Sequence, residues 1–125
     1  MAIRGLYANR TSHADFVRNA FSELSADRCN VYIAVAFFTE AKIVEQLLAS
    51  GCHIRLIVRL GFPTSATALS RLMGRSDVEI RYFTDRSFHP KLYIFGDRTA
   101  LVGSANLTDS ALNSNQEIVV SVSAD

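Results

Sequence analysis

The stretch HPKLYIFGDRTALVGSANLT, residues 89–108, contains two short apolar runs separated by three residues that favour a turn. The runs cover residues 91–95 and 100–103, and the connection between them is Gly96-Asp97-Arg98. Glycine and aspartate between two apolar runs are typical of a tight hairpin connection. The stretch therefore predicts a β-hairpin, with polar residues at the start of its first strand and directly after its second.

Upstream of the hairpin, strands alternate with amphipathic helices. Apolar runs rich in β-branched and aromatic residues predict strands at 31–39, 54–60 and 78–83, and a further strand is predicted downstream at 117–122. Apolar residues at helical spacing predict three helices: one from Ser12 to about Asp27, one that begins at Thr39 or Glu40 and ends at Gly51, and one with Leu69, Leu72 and Met73 on its apolar side that ends near Gly74.

The order strand, helix, strand, helix, strand implies right-handed crossovers and parallel pairing. We therefore expect an α/β fold with a mixed, largely parallel β-sheet flanked by helices. A chain of 125 residues has the size of one domain, so the expected domain spans residues 1–125. Because the chain stops directly after the last predicted strand, we expect a fragment or the N-terminal domain of a longer protein.

The composition is that of a globular protein, with 49% apolar residues, 20% charged residues and a net charge of +1. No apolar run approaches the roughly 20 residues that cross a bilayer, so we expect no membrane association. Cys29 and Cys52 lack metal-binding spacing and nothing demands an oxidising compartment, so the cytoplasm is the expected location. Six arginines form either a solvated surface or a patch that faces phosphate: Arg55, Arg59, Arg71, Arg75, Arg81 and Arg86.

Residues suited to phosphoryl chemistry cluster in and after the hairpin. Strand alternation puts His89, Lys91 and Tyr93 on one face of the first strand. An imidazole can attack phosphorus while a neighbouring lysine neutralises the non-bridging oxygens. Ser104 and Asn106 follow the second strand two positions apart, so strand alternation puts them on the same face. They supply neutral donors for an oxyanion.

Two more residues belong to the pattern. Gly103 permits a close approach between the backbone and a ligand. Glu117 is suited to orient the imidazole through its second nitrogen. Taken singly, each polar residue of the set also has an ordinary explanation in a turn or on a solvated surface. The spacing of the whole set is what indicates function.

The set resembles the H-x-K motif of the phospholipase D superfamily, followed by its G-S-x-N element and a downstream glutamate. The residues that carry the resemblance are His89-Pro90-Lys91-Leu92-Tyr93-Ile94-Phe95, Gly103-Ser104-Ala105-Asn106-Leu107-Thr108 and Glu117. They look most like the nuclease and restriction-endonuclease branch. The usual motif has an acidic residue after four intervening positions beyond the lysine, where this chain has Gly96. Asp97 follows, and it either fills that role through a shifted turn or belongs only to the hairpin.

The resemblance implies a two-step displacement that needs neither a metal ion nor another cofactor. One motif histidine attacks the phosphodiester to form a phosphohistidine, and a second protonates the leaving oxygen and then activates water. Lys91 and Asn106, supported by Ser104, hold the developing charge. The other histidines, His13 and His53, lack a lysine at the right spacing. A chain with one motif therefore implies a homodimer that brings two motif histidines together.

The branch resemblance makes nucleic acid the expected substrate, with DNA ahead of RNA. A phospholipid-directed phosphodiesterase is the alternative enzyme, although no amphipathic or polybasic segment supports it. A third alternative is an inert module that keeps the fold and binds nucleic acid, or dimerises, without turnover. The complete set of site residues favours an enzyme over that module.

Overall fold

The computed structural model describes residues 1–9, 16–25 and 29–124. In chain order, its elements are β1 Ala2–Ala8, α1 Val17–Leu24, β2 Asn30–Val35, α2 Ala41–Ala49, β3 His53–Arg59, α3 Ala66–Ser70, β4 Val78–Phe83, β5 Lys91–Phe95, β6 Thr99–Gly103, α4 Asp109–Asn113 and β7 Ile118–Ser123. The helix start predicted at Ser12, the helix end predicted at Asp27 and the histidine His13 lie outside the described residues.

The strands form one seven-stranded sheet in the order β1-β7-β6-β5-β2-β3-β4. β2, β3 and β4 pair in parallel, whereas β5 runs antiparallel to β2 and the pairings from β5 to β6, β7 and β1 are all antiparallel. The α/β class and the mixed sheet are confirmed. The expected parallel pairing holds only for β2, β3 and β4, because the three residues between β5 and β6 are too few for a crossover connection.

One face of the sheet carries the core. Alternate residues of β2 and β3 are buried there, as the period of two in a strand requires. The Phe21 ring of α1 packs edge-on against Tyr93 and Phe95 of β5, with ring centroids 4.9 and 5.8 Å apart. The apolar residues predicted for α2, which are Ile43, Val44, Leu47 and Leu48, are all buried. None of the helices in the described ranges is long and apolar enough to cross a membrane.

Several elements differ from the prediction. The sequence patterns did not predict β1 or α4. The helix predicted around Leu69 ends already at Ser70, so Met73 lies in the turn that follows and is 63% exposed instead of packing on the apolar side. The short helix still buries Ala68 and Leu69, which attach it to the core.

Candidate active site

The predicted site lies at the edge of the sheet where β2 and β3 end and β5 begins. The last residue of β2, Val35, pairs with Lys91, the first residue of β5. The Ala36 N–H extends this ladder by donating to the Pro90 carbonyl at 3.1 Å. His89 therefore stands just beyond the paired strands, with its side chain exposed. Such edges are the usual binding positions in open α/β sheets.

An aromatic ring contacts the imidazole of His89, and a guanidinium lies over that ring; the sequence patterns assigned neither residue to the site. The rings of His89 and Phe37 meet edge-on, with centroids 5.8 Å apart. The Arg59 guanidinium lies over the same Phe37 ring, 4.7 Å from its centroid. Phe37 follows β2 and Arg59 ends β3. Since the carboxyl ends of adjacent parallel strands meet at one edge, their positions in the chain were the signal that could have identified both.

Lys91 is half-buried beside two charges of opposite sign. Burial lowers the pKa of its ammonium group, the negative charge of Glu117 acts to raise that pKa, and the positive charge of Arg59 acts to lower it. Lys91 Nζ also lies 3.5 Å from the His89 carbonyl oxygen. A partly desolvated ammonium group attracts a phosphate oxygen more strongly than a fully hydrated one does.

Ser104 and Glu117 form a pair. The Ser104 hydroxyl donates to Glu117 Oε1 at 2.5 Å and accepts from the Ile118 N–H at 3.0 Å. The hydroxyl proton is thus directed to the carboxylate and not to an incoming oxyanion. Within one chain, Glu117 contacts Ser104 and acts on Lys91, and the described residues give His89 no carboxylate partner. The sequence patterns predicted that Glu117 orients the imidazole of His89. The structure instead places Glu117 against Ser104.

The loop between Ser104 and Asn106 is held from two sides. The buried Tyr93 hydroxyl donates to the Ala105 carbonyl at 2.9 Å, and burial raises the pKa of this phenol far above its usual range. The Phe37 N–H donates to Asn106 Oδ1 at 3.2 Å, which leaves the Asn106 Nδ2 group as a donor for a ligand. The hydrogen bond of Tyr93 therefore connects β5, which begins with Lys91, to the loop that contains Asn106.

Gly103 does not have its predicted relation to the site, and the position of Asp97 favours one of the two interpretations that the sequence left open. A Cβ atom on Gly103 would collide with the Ile118 carbonyl, so this glycine allows β7 to approach and does not serve a ligand. Asp97 lies past the far end of β5, beyond Phe95, so its backbone is more than about 13 Å from Lys91 at the usual rise per strand residue. Its position agrees with the hairpin interpretation.

The comparisons with known proteins identify the family. A family model described as "Cardiolipin synthase, PLD-like domain" matches residues 21–125, so the chain belongs to the phospholipase D-like domain family. The superfamily resemblance seen in the sequence is thereby confirmed. No curated protein sequence matches the chain.

Solved structures agree on the fold. NucT from Helicobacter pylori is 18% identical with a TM-score of 0.75, and the match covers 96% of this chain and 85% of that one. Nuc from Salmonella typhimurium, a phospholipase D family member, is 16% identical with a TM-score of 0.76, covering 98% and 82%. Phosphatidylserine synthase from Haemophilus influenzae is 15% identical with a TM-score of 0.64, covering 94% of this chain and 33% of that one.

Proposed function

We propose that the protein is a metal-independent phosphodiesterase that hydrolyses nucleic acid, DNA first, with two copies of His89 acting across a homodimer. The observation that carries this proposal is the meeting of His89, Lys91 and Asn106 at one edge of the sheet, with the imidazole exposed. A nucleophile, a cation and a neutral donor are the groups that displacement at phosphorus requires.

In the proposed reaction, His89 of one copy forms a bond to phosphorus as the bond to the leaving oxygen breaks. His89 of the other copy gives its proton to that oxygen. It then takes a proton from water, whose oxygen attacks phosphorus and breaks the phosphorus–nitrogen bond. Lys91 and Asn106 Nδ2 neutralise the non-bridging oxygens, and Ser104 acts through Glu117, which maintains the charge on Lys91.

The nuclease assignment is supported by the matches to NucT and Nuc, which cover more than four fifths of those chains. It is also supported by Arg59, a cation beside the site with no carboxylate partner among the described residues. The match to phosphatidylserine synthase, a lipid enzyme by name, keeps phospholipid as the second candidate substrate. Restriction-type cleavage, the finer expectation, needs the same chemistry together with sequence recognition.

The proposal is tested with plasmid DNA and bis(p-nitrophenyl) phosphate, both in excess EDTA. We expect cleavage of both substrates by the unaltered chain and loss of cleavage in His89→Ala. His53→Ala is the matched control, because His53 is an exposed histidine at the start of β3 and should be dispensable. Phospholipid vesicles assayed alongside separate the two substrate classes.

Each outcome decides between hypotheses. Cleavage that EDTA abolishes would mean that the metal-independent mechanism is wrong. Absence of turnover on every substrate, with the folded state verified by circular dichroism, would favour the inert binding module. Turnover of lipid without turnover of DNA would favour the phospholipid-directed enzyme.

A further inference from the structure

A cleft of about 430 Å³ lies beside the candidate site, between the loops that follow β3 and β4. It is lined by Arg59, Leu60, Gly61, Phe62, Thr84 and Arg86. We infer that this cleft binds an unpaired nucleotide next to the scissile phosphate, so that the protein prefers single-stranded nucleic acid to a duplex. The inference rests on the proposed function and specifies its substrate.

Phe62 provides the first argument. Its side chain is 96% exposed, the highest value among the exposed large apolar residues of the described chain. An aromatic ring in water next to a cleft offers a stacking surface for a base, and stacking tolerates any base because each has a π-face. Bases inside a duplex are already stacked on both sides. Only an unpaired base is free to lie on the Phe62 ring.

The second argument comes from the six arginines in the middle of the sequence, between positions 55 and 86. Four of the six have a carboxylate within salt-bridge distance, as the pairs Arg55–Glu79, Arg71–Glu45, Arg75–Asp77 and Arg81–Glu79. Among the residues described, no carboxylate pairs with Arg59 or Arg86. These are the two arginines that line the cleft. Their charges are therefore available for the phosphates of a nucleic-acid backbone.

One acidic residue lies nearby, and among the described residues it forms an ion pair with neither Arg59 nor Arg86. Asp85 stands between Thr84 and Arg86, and its Oδ1 accepts from both the N–H and the hydroxyl of Ser87 at 2.8 Å. These hydrogen bonds lower the pKa of Asp85 and direct its carboxylate into its own turn. It is absent from the residues that line the cleft.

The third argument is the connection between the cleft and His89. Arg59 Nη1 donates to the Arg86 carbonyl at 2.8 Å, which ties the two cleft loops together. Arg59 also lies over Phe37, which in turn contacts His89. The cleft is thus separated from His89 by two side-chain contacts, which a few nucleotides of one strand can span. A strand attacked at His89 therefore reaches the cleft.

The first test measures binding in a His89→Ala background, so that the nucleic acid stays intact. Fluorescence anisotropy compares a labelled single-stranded oligonucleotide with the same sequence as a duplex. We expect tighter binding of the single strand and a rise in its Kd of about five-fold or more in Phe62→Ala. Phe62→Trp should restore the affinity. Met73→Ala is the matched control, since it removes another exposed apolar side chain on a different loop.

The second test concerns charge. Arg86→Gln should reduce the slope of log Kd against log salt for the single strand by about 0.7, the value for one phosphate contact. Arg81→Gln, which removes an arginine already paired with Glu79, is the control and should leave the slope unchanged.

The third test separates the inference from the proposed function. In otherwise unaltered chains, Phe62→Ala should lower the ratio of kcat/KM on the oligonucleotide to kcat/KM on bis(p-nitrophenyl) phosphate by about five-fold or more. An unchanged ratio, or equal affinity for duplex and single strand, would overturn the inference. Single-strand binding that depends on Phe62 in a chain that hydrolyses neither substrate would refute the proposed function and support the cleft.

Discussion

Among the single residues of the site, Lys91 is the one whose charge depends most clearly on its neighbours. In the proposed reaction its ammonium form neutralises phosphate, and burial lowers the pKa of that group. As the pH rises through that lowered pKa, the charge is lost earlier than for a lysine in water. We therefore expect the alkaline limb of the pH–rate profile to lie below the pH expected for an ordinary lysine.

Two substitutions should move this limb in opposite directions. Glu117→Gln removes a charge that raises the pKa of Lys91, so the limb should move to lower pH. Arg59→Gln removes a charge that lowers this pKa, so the limb should move to higher pH. The measurement is kcat/KM on bis(p-nitrophenyl) phosphate against pH. Glu79→Gln removes a carboxylate on β4 as a control, and shifts of the same sign in both test variants would contradict the assignment.

Tyr93→Phe tests how the loop of Ser104 and Asn106 is held. The substitution removes the buried hydroxyl and leaves the Ala105 carbonyl without its donor, which should reduce the free energy of unfolding by about 1–3 kcal/mol. Because the loop also loses its anchor, kcat should fall while the KM for the small diester changes little. Urea unfolding and steady-state kinetics measure the two effects.

The exposed residue Tyr32 offers the control for that substitution, since Tyr32→Phe should change the free energy of unfolding by no more than about 0.5 kcal/mol. A Tyr93→Phe protein with full stability and full kcat would show that the Ala105 hydrogen bond does not position the loop.

Among the elements, the contact between β6 and β7 depends on one residue without a side chain. Gly103→Ala would bring a Cβ against the Ile118 carbonyl and within 2.7 Å of Val119 Cα. The strands would have to separate, so we expect a loss of about 1–3 kcal/mol in the free energy of unfolding by urea. The hydrogen bonds between Ser104 and Ile118 would also be disturbed, with a loss of activity.

Val102→Ala is the neighbouring control, because Val102 is exposed on the same strand and its truncation creates no collision. If Gly103→Ala were as stable and as active as the unaltered chain, the close approach of the two strands would be wrong.

The elements that sequence patterns predicted correctly are those defined by local signals. The hairpin of β5 and β6 has a turn sequence between two apolar runs, and α2 has an apolar stripe followed by the helix-stop signal Gly51. β1 has no such signal, since it is an edge strand with a pairing irregularity near Gly5 and is defined by its pairing with β7 at the other end of the chain.

The site residues also fall into two groups, those that a local sequence pattern relates and those that only the assembled sheet brings together. His89 and Lys91 are close in sequence, so strand alternation was enough to relate them. The partnership of Ser104 with Glu117 depends on the register between β6 and β7, which no local pattern encodes. Phe37 follows β2 and Arg59 ends β3, and only the assembled sheet brings the Phe37 ring against the imidazole and the Arg59 guanidinium over that ring.

For the whole molecule, the proposed mechanism requires two chains for each site. When the unaltered chain is mixed with His89→Ala and the subunits exchange, mixed dimers hold a single motif histidine. In an equal mixture, the activity per unaltered chain should fall to about one half, because random pairing puts half of those chains into mixed dimers. The measurement is hydrolysis of bis(p-nitrophenyl) phosphate after prolonged incubation.

Sedimentation of the same samples reports the oligomeric state. His53→Ala, which keeps His89, is mixed with the unaltered chain as the control for dilution. Its addition should leave the activity per chain unchanged. Full activity in the His89→Ala mixture, or an active species that sediments as a monomer at every concentration, would contradict the dimer.

The order of the strands has a consequence for how such a protein can diversify. β5, which follows His89 and begins with Lys91, is the fourth of seven strands and is hydrogen-bonded on both sides, whereas Phe62 and Arg86 lie in loops at the periphery. Substitutions in loops disturb the core little. We therefore expect that substrate preference can change, in evolution or by engineering, through the loops while the proposed reacting group His89 stays fixed at the start of the central strand.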